Sequence, residues 1–350
     1  MTQLTHGGDW AGYRAQYGHD ALDFSANVSP LGLPQGVANA IAAALPHADR
    51  YPDPLCRALR AKLAPHEGIP AESILCGNGA ADLIFRLAWA AKPRTALVTA
   101  PTFAEYAAAL EGAGCAVLRH FLQAEVDFAV TDSILSSITP EVDMVFLCQP
   151  NNPTGQLTPL PLVERILRRC EACGALLVVD ECFLDFLPDC DALTAKALLD
   201  SKNLLILKAF TKLYGMAGVR LGYCLCTNTA LLEAMQAAGQ PWAVSSLAQA
   251  AGLAALDETA YVAQVRALIA QQRPRLTAGL RALGLRVLDG RANYLLFQGP
   301  ETLGDALRQR SVVLRSCSNY PGLDGSWYRT AVRTGPENDE LLKTLAEVLA

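Results

Sequence analysis

The feature that most constrains this chain is a repeated alternation between residues 73 and 226, in which short apolar runs are each broken by a polar or glycine-containing turn, with helical segments between them. The runs are SILC (73–76), TALVT (95–99), MVFLC (144–148), ALLVV (175–179), LLIL (204–207) and the stretch after Arg220. Runs this uniformly apolar have no face to spare for water, so each has to be buried on both sides. Helical patterns at 81–91, 104–110 and 162–173 supply covering layers. The alternation predicts an α/β fold with a mostly parallel sheet.

Open parallel sheets place ligands beyond the carboxyl ends of their strands. The turns at those ends are GNGAAD (77–82), APTFAEY (100–106), QPNNPTG (149–155), DECFLDF (180–186) and KAFTK (208–212). A parallel sheet gathers all of them along one edge, which predicts a cleft there. Gly77 to Ala81 leads into a helix, where backbone N–H groups can close on an anion. Asp180 ends a buried strand, and a carboxylate there requires a cation or hydrogen-bond donors. Lys212 stands in a polar turn with Arg220 eight residues on, and reads as a Schiff-base lysine. Taken singly, Asn152 also fits a turn residue, and Phe103 and Phe183 also fit core aromatics.

Around this centre the texture changes. Residues 1 to about 33 are rich in Gly, Pro, Ser and Asn and read as an irregular arm. Helical patterns follow at 34–45 and 55–63, separated by RYPDP. Beyond about residue 228 come alanine-rich helices at 231–238 and 261–283, the latter with Pro274 as a point for a kink. Strand-like pieces at 285–288, 293–297, 312–315 and 327–332 precede a last helix at 340–349. This predicts an arm (1–40) contributing to the small domain and the active site, a large domain (41–228) and a small α+β domain (229–350). A chain of 350 residues suits one large core and a smaller one.

Composition removes several function classes. With 51% hydrophobic and 18% charged residues and no apolar run near the ~18 residues of a membrane span, a membrane protein is not expected. The N-terminus lacks a secretory layout, which implies a cytoplasmic protein whose eleven cysteines stay reduced. Cys170 and Cys173 form a CxxC without a second pair, so no metal site is expected. A net charge of −5 without a basic block argues against nucleic acid as a partner. Small anionic ligands then have to be met by local arginines.

The succession GNGAAD, PTFAEY, NNPTG, VVDECF and TK, with an arginine eight residues on, resembles the fold type I pyridoxal-phosphate enzymes of the aspartate-aminotransferase fold. The resemblance runs from about Asp23 to the C-terminus. It implies pyridoxal 5'-phosphate as cofactor, with Lys212 as its Schiff-base partner, Asp180 against the pyridine nitrogen, Asn152 on the phenolic oxygen and Phe103 stacked on the ring. It further implies that Ala80, Ala81, Thr211 and Arg220 hold the cofactor phosphate. Tyr51 of RYPD would reach that phosphate from the other subunit of a homodimer. Arg329 in WYRTAVR takes the place of the arginine that binds a substrate carboxylate. Phe183 stands where many members have Tyr, and Ala209 where many have Ser or Thr, so one hydrogen bond to the phenolic oxygen is absent and phosphate anchoring leans more on Arg220, Thr211 and backbone groups.

Within the fold, the chain resembles the histidinol-phosphate aminotransferases and the threonine-phosphate decarboxylases of cobalamin biosynthesis. THGGD, DFSANVSPLG and LRSCSNYPGLDGSWYRTAVR resemble the decarboxylases. This implies decarboxylation of L-threonine O-3-phosphate, with Arg329 on the carboxylate and His6, Asn27 and Arg315 on the substrate phosphate. Arg333 joins them, since alternation along WYRTAVR puts it on the face of Arg329. An aminotransferase using 2-oxoglutarate or glutamate is the alternative, and a non-catalytic cofactor-binding regulator a further one.

Overall fold

The computed structural model describes residues 6–350. Its first strand, β1 (Leu22–Asp23), belongs to a small parallel pair, and the frame of the molecule is a seven-stranded sheet built from β2 (Ile74–Gly77), β3 (Thr95–Ala100), β4 (Ala116–Phe121), β5 (Met144–Cys148), β6 (Leu176–Asp180), β7 (Leu204–Ala209) and β8 (Gly222–Leu225). The order is β2-β8-β7-β6-β5-β3-β4, and every neighbouring pair is parallel except those made by β8, which runs antiparallel to β2 and β7. All six apolar runs are strands of this sheet. The seventh, β4, is AVLRHF at the sheet edge, with one strand neighbour and with Leu118 and Phe121 about half exposed.

Helices Gly79–Ala91, Ala104–Gly112 and Leu160–Cys173 follow β2, β3 and β5 and bury their apolar faces on the sheet. A second, antiparallel sheet of four strands has the order β12-β13-β10-β9, from β9 (Arg286–Val287), β10 (Tyr294–Gln298), β12 (Arg315–Ser316) and β13 (Trp327–Ala331). The piece at 312–315 divides into β11 (Val312–Val313), which pairs with β1, and β12, which joins the second sheet. Helix Thr259–Ala282 carries Pro274 inside it and continues through. Helix Ser246–Ala255, which has no counterpart in the sequence reading, packs against helix Gln35–Ala44.

The arm is more ordered than its turn chemistry suggests. Residues Trp10–Tyr17 form a helix: the Asp9 carboxylate accepts from the Gly12 amide at 3.0 Å, and Gly18 ends the helix in the left-handed region. Tyr13 is buried, stacks on Tyr17 at 4.5 Å and lies 5.1 Å beneath the Arg308 guanidinium. Eight residues between HGGD and GHD are too few to show a period among so many turn residues, which is why the sequence reads as irregular there. Further on, the Ala331 amide donates to the Phe24 carbonyl at 2.8 Å, and the Ser29 amide to the Lys212 carbonyl at 2.9 Å. The arm is therefore tied to β13 on one side and to the lysine turn on the other. Of the THGGD stretch, Thr5 lies outside the described residues.

One close approach sets the geometry of the sheet edge. A Cβ on Gly222 would come within 2.5 Å of the Ala80 amide nitrogen and 2.8 Å of the Gly79 carbonyl carbon. The start of helix Gly79–Ala91 can lie on β8 because residue 222 has no side chain. Gly222→Ala is expected to lower unfolding free energy by about 1–3 kcal/mol, the usual cost of overpacking. Urea denaturation read by circular dichroism checks this, and an unchanged midpoint would refute it.

Candidate active site

The turns after β2, β3, β5, β6 and β7 meet around an inner chamber lined by Ala80, Ala81, Phe103, Asn152, Asp180, Thr211, Lys212 and Arg220. Its floor is the start of helix Gly79–Ala91, whose first N–H groups lack intrahelical partners and whose dipole favours an anion. Gly79 has φ +80°, and a Cβ there would lie 2.7 Å from Arg220 Nη2. Arg220 itself sits at φ +64°, a left-handed conformation that costs a non-glycine residue about 1–2 kcal/mol. Arg220 Nη1 donates to the Ala217 carbonyl at 3.0 Å. A strained arginine, a glycine that makes room for it and a helix start form a cup for a phosphate-sized anion.

Across the chamber, Asp180 is buried, and its two oxygens are separately held. Oδ1 accepts from the Cys182 amide at 3.0 Å and Oδ2 from the Tyr106 hydroxyl at 2.5 Å. Burial, and then the Asp180 carboxylate, push the Tyr106 phenol well above its ordinary range, so it stays a donor. The Tyr106 ring stacks on Phe146 at 4.7 Å and meets Phe103 edge-on at 5.5 Å. Phe103, half-buried, therefore presents its remaining face to the chamber. Lys212 lies below the usual lysine range, chiefly through burial; Cys182 and Asp180 pull the other way, and the Arg329 and Arg220 guanidiniums add to the lowering. Its Nζ is 5.5 Å from the centre of the Phe183 ring. A weakened ammonium favours the neutral amine that attacks a carbonyl. Anion cup, aromatic wall, buried carboxylate and low-lying lysine fit the phosphate, ring, ring nitrogen and aldehyde of pyridoxal 5'-phosphate.

An outer chamber of about 730 Å³ opens from this one and shares Ala81, Phe103, Asn152, Phe183, Lys212 and Arg220 with it. Arg315 and Arg329 face each other across β12 and β13. Arg329 is buried; Nη1 donates to Asn152 Oδ1 at 2.6 Å and Nη2 to the Ser25 carbonyl at 2.7 Å. Its Nε, and both polar atoms of buried Asn27, have no hydrogen-bond partner among the described residues. Unsatisfied buried donors beside paired guanidiniums describe a place for an anion. Arg315 donates to the Ser316 carbonyl at 2.6 Å and to Asn319 Oδ1 at 2.7 Å, and its guanidinium lies 5.3 Å from the Tyr320 ring centre.

The residues expected from sequence thus collect in two adjoining chambers, with one exception. Tyr51 lies on the outer surface, 80% exposed and stacked on Trp242 at 4.5 Å. Arg333 reaches the outer chamber, but not by strand alternation, because β13 ends at Ala331. Its guanidinium is held by Glu337, at 2.5 Å and 3.0 Å, and by the Asp23 carbonyl at 3.1 Å. It ties the arm to the last helix. His6 reaches the chamber and pairs with Glu105.

A separate polar cavity lies on the far side of the lysine turn, lined among others by Glu67, Asp185, Lys196 and Lys208. Its charges answer one another: Lys208 Nζ is 2.7 Å from Asp185, and Lys196 Nζ is 2.9 Å from Glu67. Burial pushes nearby Glu181 up to about 7 against the pull of Lys208. Charges already paired inside the chain make this a structural network beneath the sheet edge.

Tyr106 and Ser25 are among the positions that sequence reading missed. Tyr106 was visible only as the residue three on from Phe103 on one helix face, and Ser25 acts through its carbonyl, which no side-chain pattern reveals. Tyr106→Phe keeps the ring contacts but leaves Asp180 Oδ2 without its donor. It is expected to destabilise the protein by about 1–3 kcal/mol. Thermal unfolding would detect this, and an unshifted transition would mean that the contact carries no weight.

Comparisons with known proteins agree with this geometry. The sequence matches the aminotransferase class I and II family over residues 19–346. It is 40% identical over 332 residues to the threonine-phosphate decarboxylase of Salmonella typhimurium, covering 94% of this chain and 91% of that protein. A histidinol-phosphate aminotransferase of Desulfitobacterium hafniense is 34% identical, covering 94% and 92%. The crystal structure of the histidinol-phosphate aminotransferase from Sinorhizobium meliloti in complex with pyridoxal-5'-phosphate superposes with a TM-score of 0.86 at 25% identity, covering 99% of this chain and 95% of that one. With the matched segment spanning the seven- and four-stranded sheets and the inner chamber, the chain belongs to the class I and II aminotransferase family and has its α/β fold.

Proposed function

We propose that this protein is a pyridoxal 5'-phosphate-dependent decarboxylase that converts L-threonine O-3-phosphate to (R)-1-amino-2-propanol O-2-phosphate and CO2, a step of cobalamin biosynthesis. The observation that carries this reading is the outer chamber, where Arg329 and Arg315 face each other beside Asn27, a set suited to a ligand with two anionic groups. Like charges on facing strand positions repel, and an anion between them relieves the repulsion. The Salmonella typhimurium relative carries the same activity in its name.

The cofactor, when bound, supplies an electron sink for the pair released as a bond to Cα breaks. Lys212 holds its aldehyde carbon, the Asp180 carboxylate its ring nitrogen, Asn152 its phenolic oxygen and Phe103 its ring face. The helix start at Ala80 and Ala81, with Thr211 and Arg220, holds its phosphate. Arg329 binds the substrate carboxylate through its planar fork. Arg315, Asn27 and His6 bind the substrate phosphate, and Arg333 steadies the arm beside them. Holding both ends fixes the rotation about Cα, and that rotation decides which bond breaks. After CO2 leaves, Lys212 returns a proton to Cα.

Tyr51 and Trp242 form an exposed aromatic pair. In this reading they belong to a homodimer interface, and Tyr51 serves the cofactor phosphate of the partner subunit. A cytoplasmic location goes with this reading. Among the described residues no helix is long and apolar enough to cross a membrane.

The relatives named histidinol-phosphate aminotransferase support a second reading, transamination of a phosphorylated amine. Product analysis separates the two. The decarboxylase is expected to release CO2 and amine in equal amounts from L-threonine O-3-phosphate without a keto acid, and a strict requirement for 2-oxoglutarate would overturn it. Lys212→Ala is expected to lower kcat by more than about a thousandfold, and Arg329→Ala to lower kcat/KM by about a hundredfold or more. Wild-type turnover by Lys212→Ala would refute the central assignment.

A further inference from the structure

Glu105 has no place in the reading above, yet it lines the outer chamber with the arginines. A carboxylate in a chamber suited to an anion is unexpected, since it repels the ligand that Arg315 and Arg329 attract. One ordinary account is that Glu105 lies in the first turn of helix Ala104–Gly112, where the dipole favours negative charge. That explains a carboxylate at this position but not its reach. The side chain extends to the arm and meets His6 Nε2 at 2.6 Å, a contact that spans 99 residues of sequence. Glu111, near the other end of the same helix, is far more open: its side chain is 55% exposed against 22% for Glu105.

The His6 ring is fixed on two sides. Its centre lies 5.8 Å from that of Phe103, and Nε2 is engaged by Glu105. Nδ1 has no partner among the described residues. Next to it the arm backbone is seated closely: the Gly8 amide donates to Ser25 Oγ at 2.8 Å, and a Cβ on Gly7 would lie 2.3 Å from the Ser25 carbonyl oxygen. Backbone position is thus set by the glycines and ring orientation by Glu105. A carboxylate that accepts from one imidazole N–H fixes the ring and favours the doubly protonated form, whose other N–H is then the donor presented to an anion.

We propose that Glu105 is a positioning residue for phosphate recognition: it turns His6 so that Nδ1–H donates to the phosphate monoester of the substrate, and its own charge is spent on His6. This rests on the reading of the outer chamber as the substrate site. In this proposal the effect of Glu105 on substrate affinity passes through its contact with His6.

A double-mutant cycle tests this on the holoenzyme with L-threonine O-3-phosphate. Glu105→Ala is expected to raise KM about tenfold and leave kcat within about twofold. Glu105→Gln retains an acceptor at Oε1 and should recover most of that loss, which also guards against a variant that misfolds. In a His6→Ala background, Glu105→Ala should add less than about twofold. An equal rise in KM with and without His6 would overturn the proposal, as would a fall in KM, which would mean that Glu105 competes with the phosphate for the ring. If wild-type protein releases no CO2 from phosphothreonine, the decarboxylase reading fails separately. The same cycle is then measured with histidinol phosphate, also a phosphate monoester, and its coupling decides on Glu105.

Discussion

The guanidinium of Arg329 is the joint on which the site depends. It stands on β13 of the second sheet, donates to Asn152 from the turn after β5, and donates to the Ser25 carbonyl in the arm. Three segments far apart in sequence are thereby held by one buried cation. A buried guanidinium pays a large desolvation cost unless its donors are matched, and here two of its nitrogens bond to neutral oxygens of the chain while Nε has no partner among the described residues. The protein so keeps an unmet positive charge at the place where the two chambers join. In the proposed reading an incoming carboxylate would complete the set, with the desolvation of the guanidinium already met in folding.

The inner chamber was legible because its parts follow from strand burial. Each of β3, β5, β6 and β7 is apolar on both faces and ends abruptly in a polar turn, so Asn152, Asp180 and Lys212 could be placed at one edge before any contact was known. The edge strand β4 was not legible. With a neighbour on one side and both faces partly open, AVLRHF need not be uniformly apolar. Helix Trp10–Tyr17 and helix Ser246–Ala255 escaped for other reasons: the first is one short amphipathic stretch between turn residues, and the second is so rich in alanine that its buried face hardly differs from its open one.

The outer chamber was legible residue by residue but not in its wiring. Arg315, Arg329 and Arg333 could be named from WYRTAVR and LRSC, but their different employment could not. Arg329 spans the arm and the NNPTG turn, Arg315 leans on Tyr320, and Arg333 is held by Glu337. The Arg329 contacts span 177 and 304 residues, to which local pattern is blind, and the nearer contacts of Arg315 and Arg333 are set by side-chain packing that the pattern does not show either. The Tyr106 hydroxyl on Asp180 belongs to the same class. Side chains that touch the chemistry stand in turns and can be read off, whereas those that orient them depend on tertiary packing.

The seat of the lysine turn bears on when the site comes into being. The Ser29 amide bonds to the Lys212 carbonyl, and the arm that carries Ser29 is in turn held by β11 and β13. On the ribosome the arm emerges well before β11 and β13, and contacts between such distant segments form late. A nascent chain can complete the seven-stranded sheet once β8 has emerged, but the lysine turn gains its final support only after residues 312–331 have been made. Completion of the lysine turn therefore trails completion of the sheet, and a chain lacking residues 312–331 would leave that turn without the support of the arm.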